Sequence, residues 1–249
     1  MKILITGGAG FIGSHLADKL VEAGNEVMVL DNLSTGRFEN IAHLDGKKNF
    51  HFVEGTILNE SLVDKLAEKI DVVYHLAAAV GVDLIVKKPL ESLTTNIKGS
   101  ETVLEMVHRY HKKILITSTS EIYGKNANGP LKEDDDRILG SPLKSRWGYS
   151  TAKAVDEMLA YEYWRQKQVP VVIVRLFNTV GPRQTGAYGM VIPRFVTQAL
   201  KGEPVTIYGT GKQSRCFLHV KDVVDTLIKL MNSEEAVGKV FNIGSQEEI

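Results

Sequence analysis

The sequence predicts an α/β protein built on a doubly wound parallel sheet. Apolar runs of strand length alternate along the chain with amphipathic stretches of helical length. The apolar runs are short, rich in β-branched residues and continuous, which is typical of strands that are buried on both faces. Alternation of this kind places helices on each side of parallel strands. With 249 residues, of which 43% are hydrophobic, the chain can form one sizeable core.

The alternation sets the predicted elements in chain order. Six strands are predicted at Lys2–Thr6, Glu26–Leu30, Phe50–Val53, Asp71–His75, Lys113–Thr117 and Val171–Leu176. Four helices are predicted, at Phe11–Ala23, Ser61–Lys69, Leu90–Tyr110 and Tyr149–Gln168. Sheets of this class bind ligands at the carboxyl ends of their strands, so the residues that follow each strand are the candidates for a site.

The first strand leads directly into a glycine-rich turn and a helix. Gly7, Gly10 and Gly13 follow with the spacing Gly-x-x-Gly-x-x-Gly. The first glycine permits a tight turn, the second lets a pyrophosphate approach the backbone, and the third lets the helix pack close to the strand. Phosphates then meet free N–H groups at the helix N-terminus. Strand, turn and helix together predict a dinucleotide site on a Rossmann fold, whereas the glycines alone would be ordinary turn residues.

Asp31 ends the second predicted strand. An acid at this place accepts hydrogen bonds from the adenosine ribose hydroxyls and repels a 2′-phosphate. The sequence therefore favours NAD over NADP. The alternative is that Asp31 only caps a helix or a turn.

The fourth predicted helix carries two side chains suited to proton transfer. Tyr149 and Lys153 lie one helical turn apart, on the same face. The ammonium of Lys153 is expected to favour tyrosinate and to lower the pKa of Tyr149. Such a tyrosine can take a proton from a substrate hydroxyl while hydride leaves the same carbon for NAD. Without the dinucleotide motif upstream, the same spacing would describe a surface helix pair.

The pattern changes after Arg175, where glycine and proline become frequent and the strands become isolated. We predict an NAD-binding Rossmann domain over residues 1–176, which includes the Tyr149 helix. Residues 177–249 are predicted to be part of a smaller substrate-binding domain, interleaved with the last Rossmann elements. The segment Lys125–Ser145 is long, polar and punctuated by glycine and proline, which is typical of a functional lid or of disorder.

These motifs resemble the short-chain dehydrogenase/reductase superfamily, in its extended branch that modifies nucleotide sugars. Asp31–Gly36 is similar to that branch's ribose-binding loop, and His75–Ala79 is similar to the strand end that lines the cofactor. Thr56 is a departure, because related sequences usually have an acid there that contacts adenine. The resemblance implies NAD contacts from Gly7, Gly10, Phe11, Ile12, Gly13, Asp31, Asn32, Ser34, Thr35, Gly36, Thr56, Ile57, Leu76, Ala77, Ala78, Tyr149, Lys153 and Phe177.

The end of the fifth strand bears on the reaction class. In the resembling family a hydroxyl here is the third catalytic group, and its position is that of Thr119. The 4,6-dehydratases carry Asp-Glu at the next two positions, and simple 4-epimerases commonly have a small or apolar residue in place of the Glu. This chain has Ser120 and Glu121, as UDP-glucuronate decarboxylases do. The alternative for Glu121 is a salt bridge with a neighbour such as Lys125.

The dipeptide Arg146-Trp147 precedes the catalytic helix. It is similar to the matching stretch of the UDP-glucuronate oxidative decarboxylases and UDP-apiose synthases, which also carry Arg-Trp. The alternative for Trp147 is packing at a junction of loop and helix.

The segment Val174–Arg183 resembles the family's strand-six signature, in which the Asn touches the nucleotide sugar and the Phe lies near the nicotinamide. Arg215 matches an arginine that grips the substrate diphosphate, a role that suits a bidentate guanidinium. Cys216 departs from the usual Asp or Ala, and we expect it to be a small packing residue and not a nucleophile. The resemblance implies substrate contacts from Thr119, Asn178, Arg183 and Arg215.

Composition limits the classes of partner. Thirty basic residues balance thirty acidic ones, so nucleic-acid and membrane binding are not expected. No apolar run reaches the ~18 residues that a membrane helix needs. Cys216 is the only cysteine, which excludes an intrachain disulfide and fits a cytoplasmic location. No His/Cys cluster has metal-ligand spacing, so no metal site is expected.

The resemblance also bears on assembly and length. It implies a homodimer formed through two helices of each subunit, those predicted at Leu90–Tyr110 and Tyr149–Gln168. Enzymes of this kind are usually longer, so we expect the C-terminal substrate domain to be truncated.

The predicted function is NAD-dependent modification of a nucleotide sugar, expected to be a UDP-sugar, through a 4-keto intermediate. Tyr149 is the base, Lys153 tunes it, and Thr119 assists. UDP-glucuronate decarboxylation is favoured, with a UDP-hexose 4-epimerase and then a 4,6-dehydratase as alternatives. The non-enzyme alternative is an NAD-sensing regulatory protein, although such proteins often lose the Tyr/Lys pair.

Overall fold

A seven-stranded parallel sheet organises the protein, described here from a computed structural model that covers residues 1–79, 88–127, 129–186 and 190–249. The strands are β1 (Lys2–Thr6), β2 (Glu26–Asp31), β3 (Phe50–Glu54), β4 (Val72–His75), β5 (Lys113–Thr119), β6 (Val171–Leu176), β7 (Thr179–Val180), β8 (Leu218–His219) and β9 (Val240–Ile243). The sheet runs β3-β2-β1-β4-β5-β6-β9, and β7 pairs with β8 separately. The predicted parallel α/β fold is therefore confirmed.

The helices agree with the sequence pattern up to β6 and extend beyond it. They are α1 (Phe11–Glu22), α2 (Glu60–Ala67), α3 (Pro89–Arg109), α4 (Gly148–Lys167), α5 (Val191–Leu200) and α6 (Val220–Met231). Each predicted helix and strand ends within two residues of its observed bounds. In the described part of the chain, no helix is both long enough and apolar enough to span a membrane.

Helices cover both faces of the sheet. Ile3 and Ile5 of β1 face one core, to which α1 and α6 contribute, whereas Leu4 faces a second core formed with α2, α3 and α4. Because successive strand residues enter opposite cores, the central positions of the strands are apolar on both faces, as Ile3, Leu4 and Ile5 are in β1. Full burial of one such side chain contributes about 1.5–3 kcal/mol.

The order of the strands creates the crevice for a ligand. The chain builds β1, β2 and β3 toward one edge and then returns to place β4 on the other side of β1. Carboxyl ends of parallel strands diverge at such a reversal. The glycine turn after β1 and the segment after β4 border this crevice, and the end of β5 lies next along the same edge.

The last strand of the main sheet comes from the C-terminal segment. β9 pairs in parallel with β6, and α6 packs on the first core. Residues beyond 176 therefore supply part of the Rossmann sheet. The division of the chain into two domains at residue 176 stays a prediction.

The predicted loop Lys125–Ser145 is fixed to the sheet in its described part; Asn128 lies outside the described residues. Lys125 N–H donates to the Ile138 carbonyl at 2.7 Å. The guanidinium of Arg175 donates to the carbonyl of residue 133 at 2.8 Å. These bonds hold the segment beside the ends of β5 and β6.

Candidate active site

Two glycines of the turn, Gly7 and Gly13, lie so close to neighbouring backbone that neither position has room for a side chain. Gly7 has φ +73°, and a Cβ there would lie 2.7 Å from the Ala77 nitrogen. A Cβ on Gly13 would lie 2.2 Å from the Gly7 carbonyl oxygen. Both positions therefore require glycine, the first for the turn and the second for the close approach of α1.

Gly10 differs, because a Cβ there would meet only the Gly7 oxygen, at 3.2 Å. Its outward side is open. No described side chain caps the N-terminus of α1, and its first turn carries no acid. The N–H groups of Phe11, Ile12 and Gly13 have no partner within the helix. Open space above unpaired N–H groups fits the pyrophosphate of a dinucleotide.

Asp31 connects the glycine turn to the loop after β2. Its Oδ2 accepts from Ala9 N–H at 3.0 Å, and its Oδ1 accepts from Leu33 N–H at 2.9 Å. Burial raises the pKa of Asp31, and these two hydrogen bonds oppose that rise. A carboxylate has about four lone-pair sites, so acceptor capacity remains for ribose hydroxyls. Gly36 packs against the same carboxylate, where a Cβ would be 2.9 Å from Oδ2.

The predicted adenosine side is formed by two short polar segments. Asn32 Oδ1 accepts from both the N–H and the hydroxyl of Ser34, at 3.1 and 2.7 Å. Thr35 is half-buried beside them. The Thr56 hydroxyl accepts a backbone N–H two residues on, at 3.2 Å. The Ile57 side chain is buried in the second core, so a cofactor contact from this residue is restricted to its backbone.

The segment after β4 forms the other wall of the crevice. Leu76 N–H donates to the Thr6 carbonyl at 3.0 Å, and Ala77 N–H donates to the Thr6 hydroxyl at 3.3 Å. These bonds hold Leu76, Ala77 and Ala78 opposite the glycine turn. The predicted cofactor residues of β1 and β4 are thus brought together.

His75 has a structural role that the sequence reasoning missed. Its side chain is fully buried between Thr6 and Ser100, with Nδ1 2.7 Å from the Thr6 hydroxyl and Nε2 3.1 Å from the Ser100 hydroxyl. Burial lowers the pKa of His75 to about 3, and the charge of Lys153 acts in the same direction. The imidazole is therefore neutral and joins β1 and β4 to α3.

The predicted catalytic residues meet where β5 ends and α4 begins. The Ser150 hydroxyl donates to the Glu121 carbonyl at 2.8 Å, so the strand end is tied to the first turn of α4. The Thr119 hydroxyl accepts from Glu121 N–H at 3.2 Å, and Ser120 is half-buried beside it. The buried Ser118 hydroxyl makes no hydrogen bond within the described part of the chain, and sequence reasoning had not singled it out.

Tyr149 is 8% exposed at the start of α4. Burial raises the pKa of Tyr149, and the carboxylates of Glu121 and Asp156 raise it further. The prediction that Lys153 lowers this pKa is therefore wrong here. The physical reason is that a phenolate at this place would lose water and add a negative charge beside two others.

The ammonium of Lys153 already forms an ion pair with a carboxylate of its own helix. Lys153 is 2% exposed, and its Nζ donates to Asp156 Oδ2 at 2.8 Å; Asp156 is fully buried. Asp156 Oδ1 has no hydrogen-bond partner among the described residues. Asp156 was missed from the sequence, although its position three residues after Lys153 puts it on the same helical face.

Glu121 faces the site and is not paired with Lys125. Within the described chain, neither side chain forms a salt bridge. Glu121 is exposed overall, yet surrounding protein removes part of the water from its carboxylate and raises the pKa of Glu121. Arg146 opposes this rise, so its positive charge lies near the carboxylate. The salt-bridge alternative of the sequence reasoning is not found.

Phe177 and Asn178 follow β6 at the same edge. The Phe177 ring packs against Tyr123, with ring centroids 6.3 Å apart. Asn178 Nδ2 donates to the Cys216 carbonyl at 3.1 Å, which joins the predicted substrate segments. Arg215 is exposed, and its guanidinium donates to the carbonyl of the preceding residue at 2.7 Å.

Arg183 lies apart from these substrate residues. Its guanidinium pairs with Asp18 of α1 at 2.8 Å, and its Nη1 is buried without a partner among the described residues. This long-range pair leaves no signal in the local sequence. The predicted contact of Arg183 with substrate stays a prediction.

A buried ion pair joins β6 to α4 next to the candidate site. Arg175 donates to both oxygens of Glu157 in α4, at distances from 2.8 to 3.3 Å. Its Nη1 also donates to the Tyr123 hydroxyl at 2.7 Å. That hydroxyl donates to Asn242 Oδ1 of β9 at 2.8 Å. The turn that carries Glu121 is thus linked to β6, α4 and β9.

Known proteins are similar to this chain in sequence and in architecture. The sequence model of the NAD dependent epimerase/dehydratase family matches residues 3–244 of this chain. The UDP-N-acetyl-alpha-D-glucosaminuronate decarboxylase of Bacillus cytotoxicus is 43% identical over 248 residues, which are 99% of this chain and 76% of that protein. UDP-glucuronic acid decarboxylase 1 of Xenopus tropicalis is 40% identical over 247 residues, which are 99% of this chain and 57% of that protein.

Among solved structures, the UDP-glucuronic acid 4-epimerase from Bacillus cereus, in complex with UDP-glucuronic acid and NAD, superimposes with a TM-score of 0.89. It is 34% identical, and the match covers 100% of this chain and 79% of that one. The chain thus spans only part of the length of these relatives.

Proposed function

Because the chain belongs to the NAD dependent epimerase/dehydratase family, we propose that it decarboxylates a nucleotide sugar that carries a C6 carboxylate. NAD is the cofactor of this family, as the sequence predicted. The observation that carries the proposal is the juxtaposition of Glu121 and Tyr149, because the Ser150 hydroxyl, next to Tyr149, donates to the Glu121 carbonyl at 2.8 Å. The names of the relatives from Bacillus cytotoxicus and Xenopus tropicalis support it.

The described residues fit NAD. Gly10 leaves room beside the unpaired N–H groups at the start of α1, and Asp31 retains acceptors for a ribose. NAD held by these residues would supply the hydride chemistry at C4 of the sugar, as acceptor and then as donor. Phe177 and the segment 76–78 would border the nicotinamide side of the crevice.

Tyr149 and Glu121 carry out different proton transfers in the proposed reaction. Tyr149 removes the proton of the C4 hydroxyl, which becomes a ketone, and the Thr119 hydroxyl orients that oxygen. The ketone makes the C6 carboxylate a β-keto acid, so the C5–C6 bond breaks, carbon dioxide leaves, and the electron pair forms an enolate. Glu121 then donates a proton to C5. The raised pKa of Glu121 favours this role, because a carboxyl must be protonated to donate.

Product analysis after incubation with NAD tests the proposal. UDP-glucuronate, UDP-N-acetylglucosaminuronate and UDP-glucose are supplied separately, and mass spectrometry follows the product. Loss of carbon dioxide from either acid supports decarboxylation. An isomer of unchanged mass would make the protein a 4-epimerase, and loss of water would make it a 4,6-dehydratase.

A matched pair of variants separates enzyme from regulator. Tyr149→Phe is expected to reduce turnover by about 10²–10⁴-fold while NAD binding, followed by calorimetry, is retained. Tyr161→Phe removes a hydroxyl from an exposed residue of the same helix and serves as the control. Bound NAD with no turnover of any sugar nucleotide by the unaltered protein would favour a regulatory protein.

The proposal includes a homodimer formed through α3 and α4, which pack side by side. Met158 and Leu90 are 62% and 77% exposed on these helices, so both side chains are free to contact a second subunit. Sedimentation is expected to show a dimer that Met158→Glu converts to a monomer. Leu200→Glu on α5, where Leu200 is 84% exposed, is the control.

A further inference from the structure

A concave site of about 380 Å³ lies beside the predicted catalytic residues and has no role in the mechanism above. It is lined by Lys125, Lys144, Arg146, Trp147 and Gly140, among others, and we refer to it as the basic cleft. Lys125 follows the turn that holds Glu121, and Trp147 lies two residues before Tyr149. The basic cleft therefore adjoins both halves of the site.

Trp147 lines the basic cleft. Its side chain is buried, with the Lys125 ammonium 5.7 Å and the Arg146 guanidinium 5.3 Å from the ring centroid. A Cβ on Gly140 would lie 2.4 Å from Trp147 Nε1, so this glycine makes room for the ring. Contacts of cations with an aromatic face hold both positive groups in place without neutralising them.

The basic cleft carries more positive than negative charge: of its three cations, Arg146 has the carboxylate of Glu121 near it. Lys125, Lys144 and Arg146 form no salt bridge within the part of the chain that the structure describes. The whole chain carries no net charge, so this excess is local. Positive charges that converge on a concave surface attract an anion.

Arg146 connects the basic cleft to the reaction centre, because its charge acts on the carboxylate of Glu121. A sugar with C4 at Tyr149 and C5 at Glu121 extends its C6 group beyond Glu121. We propose that the basic cleft receives the carboxylate of the sugar acid and so selects carboxylated over neutral nucleotide sugars. This inference rests on the proposed function, since it needs a nucleotide sugar at the site.

The lysines are expected to act on binding and not on the bond-breaking step. Carbon dioxide leaves without charge, so a cation close to the carboxylate stabilises the ground state at least as well as the transition state. The charge of the basic cleft should therefore appear in the affinity for the substrate.

The test compares two ligands on the NAD-loaded protein by calorimetry, UDP-glucuronate and UDP-glucose, which differ in the C6 carboxylate. In the double variant Lys125→Gln/Lys144→Gln, we expect affinity for UDP-glucuronate to fall about tenfold, while that for UDP-glucose stays within about twofold. The control is Lys47→Gln/Lys48→Gln, which removes the same charge from an exposed segment and should leave both affinities unchanged.

Equal weakening of both ligands, or of neither, overturns the role of the basic cleft. The two proposals fail separately. If carbon dioxide is released but the double variant keeps the preference for UDP-glucuronate, the basic cleft is refuted and decarboxylation stands. If the preference is present and lost as expected but the acid only epimerises, the basic cleft stands and decarboxylation is refuted. Inorganic phosphate that binds in the basic cleft without changing the preference also refutes the inference.

Discussion

Lys153 donates to Asp156 at 2.8 Å inside α4, and both side chains are almost fully removed from solvent. The pair offsets the cost of burying the ammonium next to the predicted catalytic tyrosine. It also keeps part of the positive field of Lys153 away from Tyr149, whose pKa is raised. One carboxylate thus affects both the stability of the helix and the acidity of the site.

Asp156→Asn is expected to lower the free energy of unfolding by about 3–5 kcal/mol, because it leaves a buried ammonium without its counter-charge. Urea denaturation measures the change. The control is Asp225→Asn, which removes an exposed partner of Lys19 and should cost about 1 kcal/mol or less. Similar losses in both variants would show that the buried pair contributes no more than a surface pair.

The rate of the first half-reaction should increase with pH. Tyr149 must be deprotonated to act as a base, and its pKa is raised, so the active fraction grows about tenfold per pH unit below that pKa. Asp156→Asn removes one cause of the rise and is expected to move the profile to lower pH. Single-turnover formation of NADH from pH 6 to about 9 checks this expectation. An unmoved profile in a folded variant would mean that Asp156 does not control the tyrosine.

Two glycines of the same turn should respond differently to alanine. In Gly13→Ala the new Cβ would meet backbone at 2.2 Å, so α1 must shift and the protein should lose about 3 kcal/mol or more of stability. In Gly10→Ala the Cβ meets only one atom at 3.2 Å, so folding should be nearly normal while NAD binding is lost. Calorimetry with NAD and thermal unfolding separate the two. Unimpaired NAD binding by Gly10→Ala would place the pyrophosphate elsewhere.

His75 should make the protein sensitive to acid. The unfolded chain binds a proton on His75 below pH 6.5, whereas the folded protein does not do so until about pH 3. Stability therefore falls as the pH drops through this window, by about 1.4 kcal/mol per pH unit. His75→Gln should flatten this dependence, and the exposed His51→Gln should not. Equal slopes in all three proteins would assign the acid sensitivity to other groups.

The sheet could be predicted closely because its physics is local and repetitive. Strands such as β1 enter a core on both faces, so their central positions are continuously apolar and their approximate bounds are visible in the sequence. The C-terminal elements were harder, since β7 and β8 have only two residues each and depend on each other for pairing. The α6 helix was within reach, because its apolar residues recur with helical spacing.

The candidate site, like the fold, could be predicted where the pattern lies within one element and not where distant residues meet. The glycine turn, Asp31, and the pair Tyr149 and Lys153 follow from spacing along single elements. The partners Asp18 of Arg183 and Ser100 of His75 come from distant parts of the chain, and no local pattern announces them. The raised pKa of Tyr149 was mispredicted for the same reason, because it depends on burial and on Glu121, which the fold brings near.

The hydrogen bond between Tyr123 and Asn242 spans 119 residues of sequence and sets an order of assembly during protein synthesis. A ribosome adds about 5–20 residues per second, so roughly 6–24 seconds separate the two ends of this bond. The strands that hold NAD are complete before β9 emerges. The turn that carries Glu121 is then already bonded to α4 and β6, and its bond to β9 forms last.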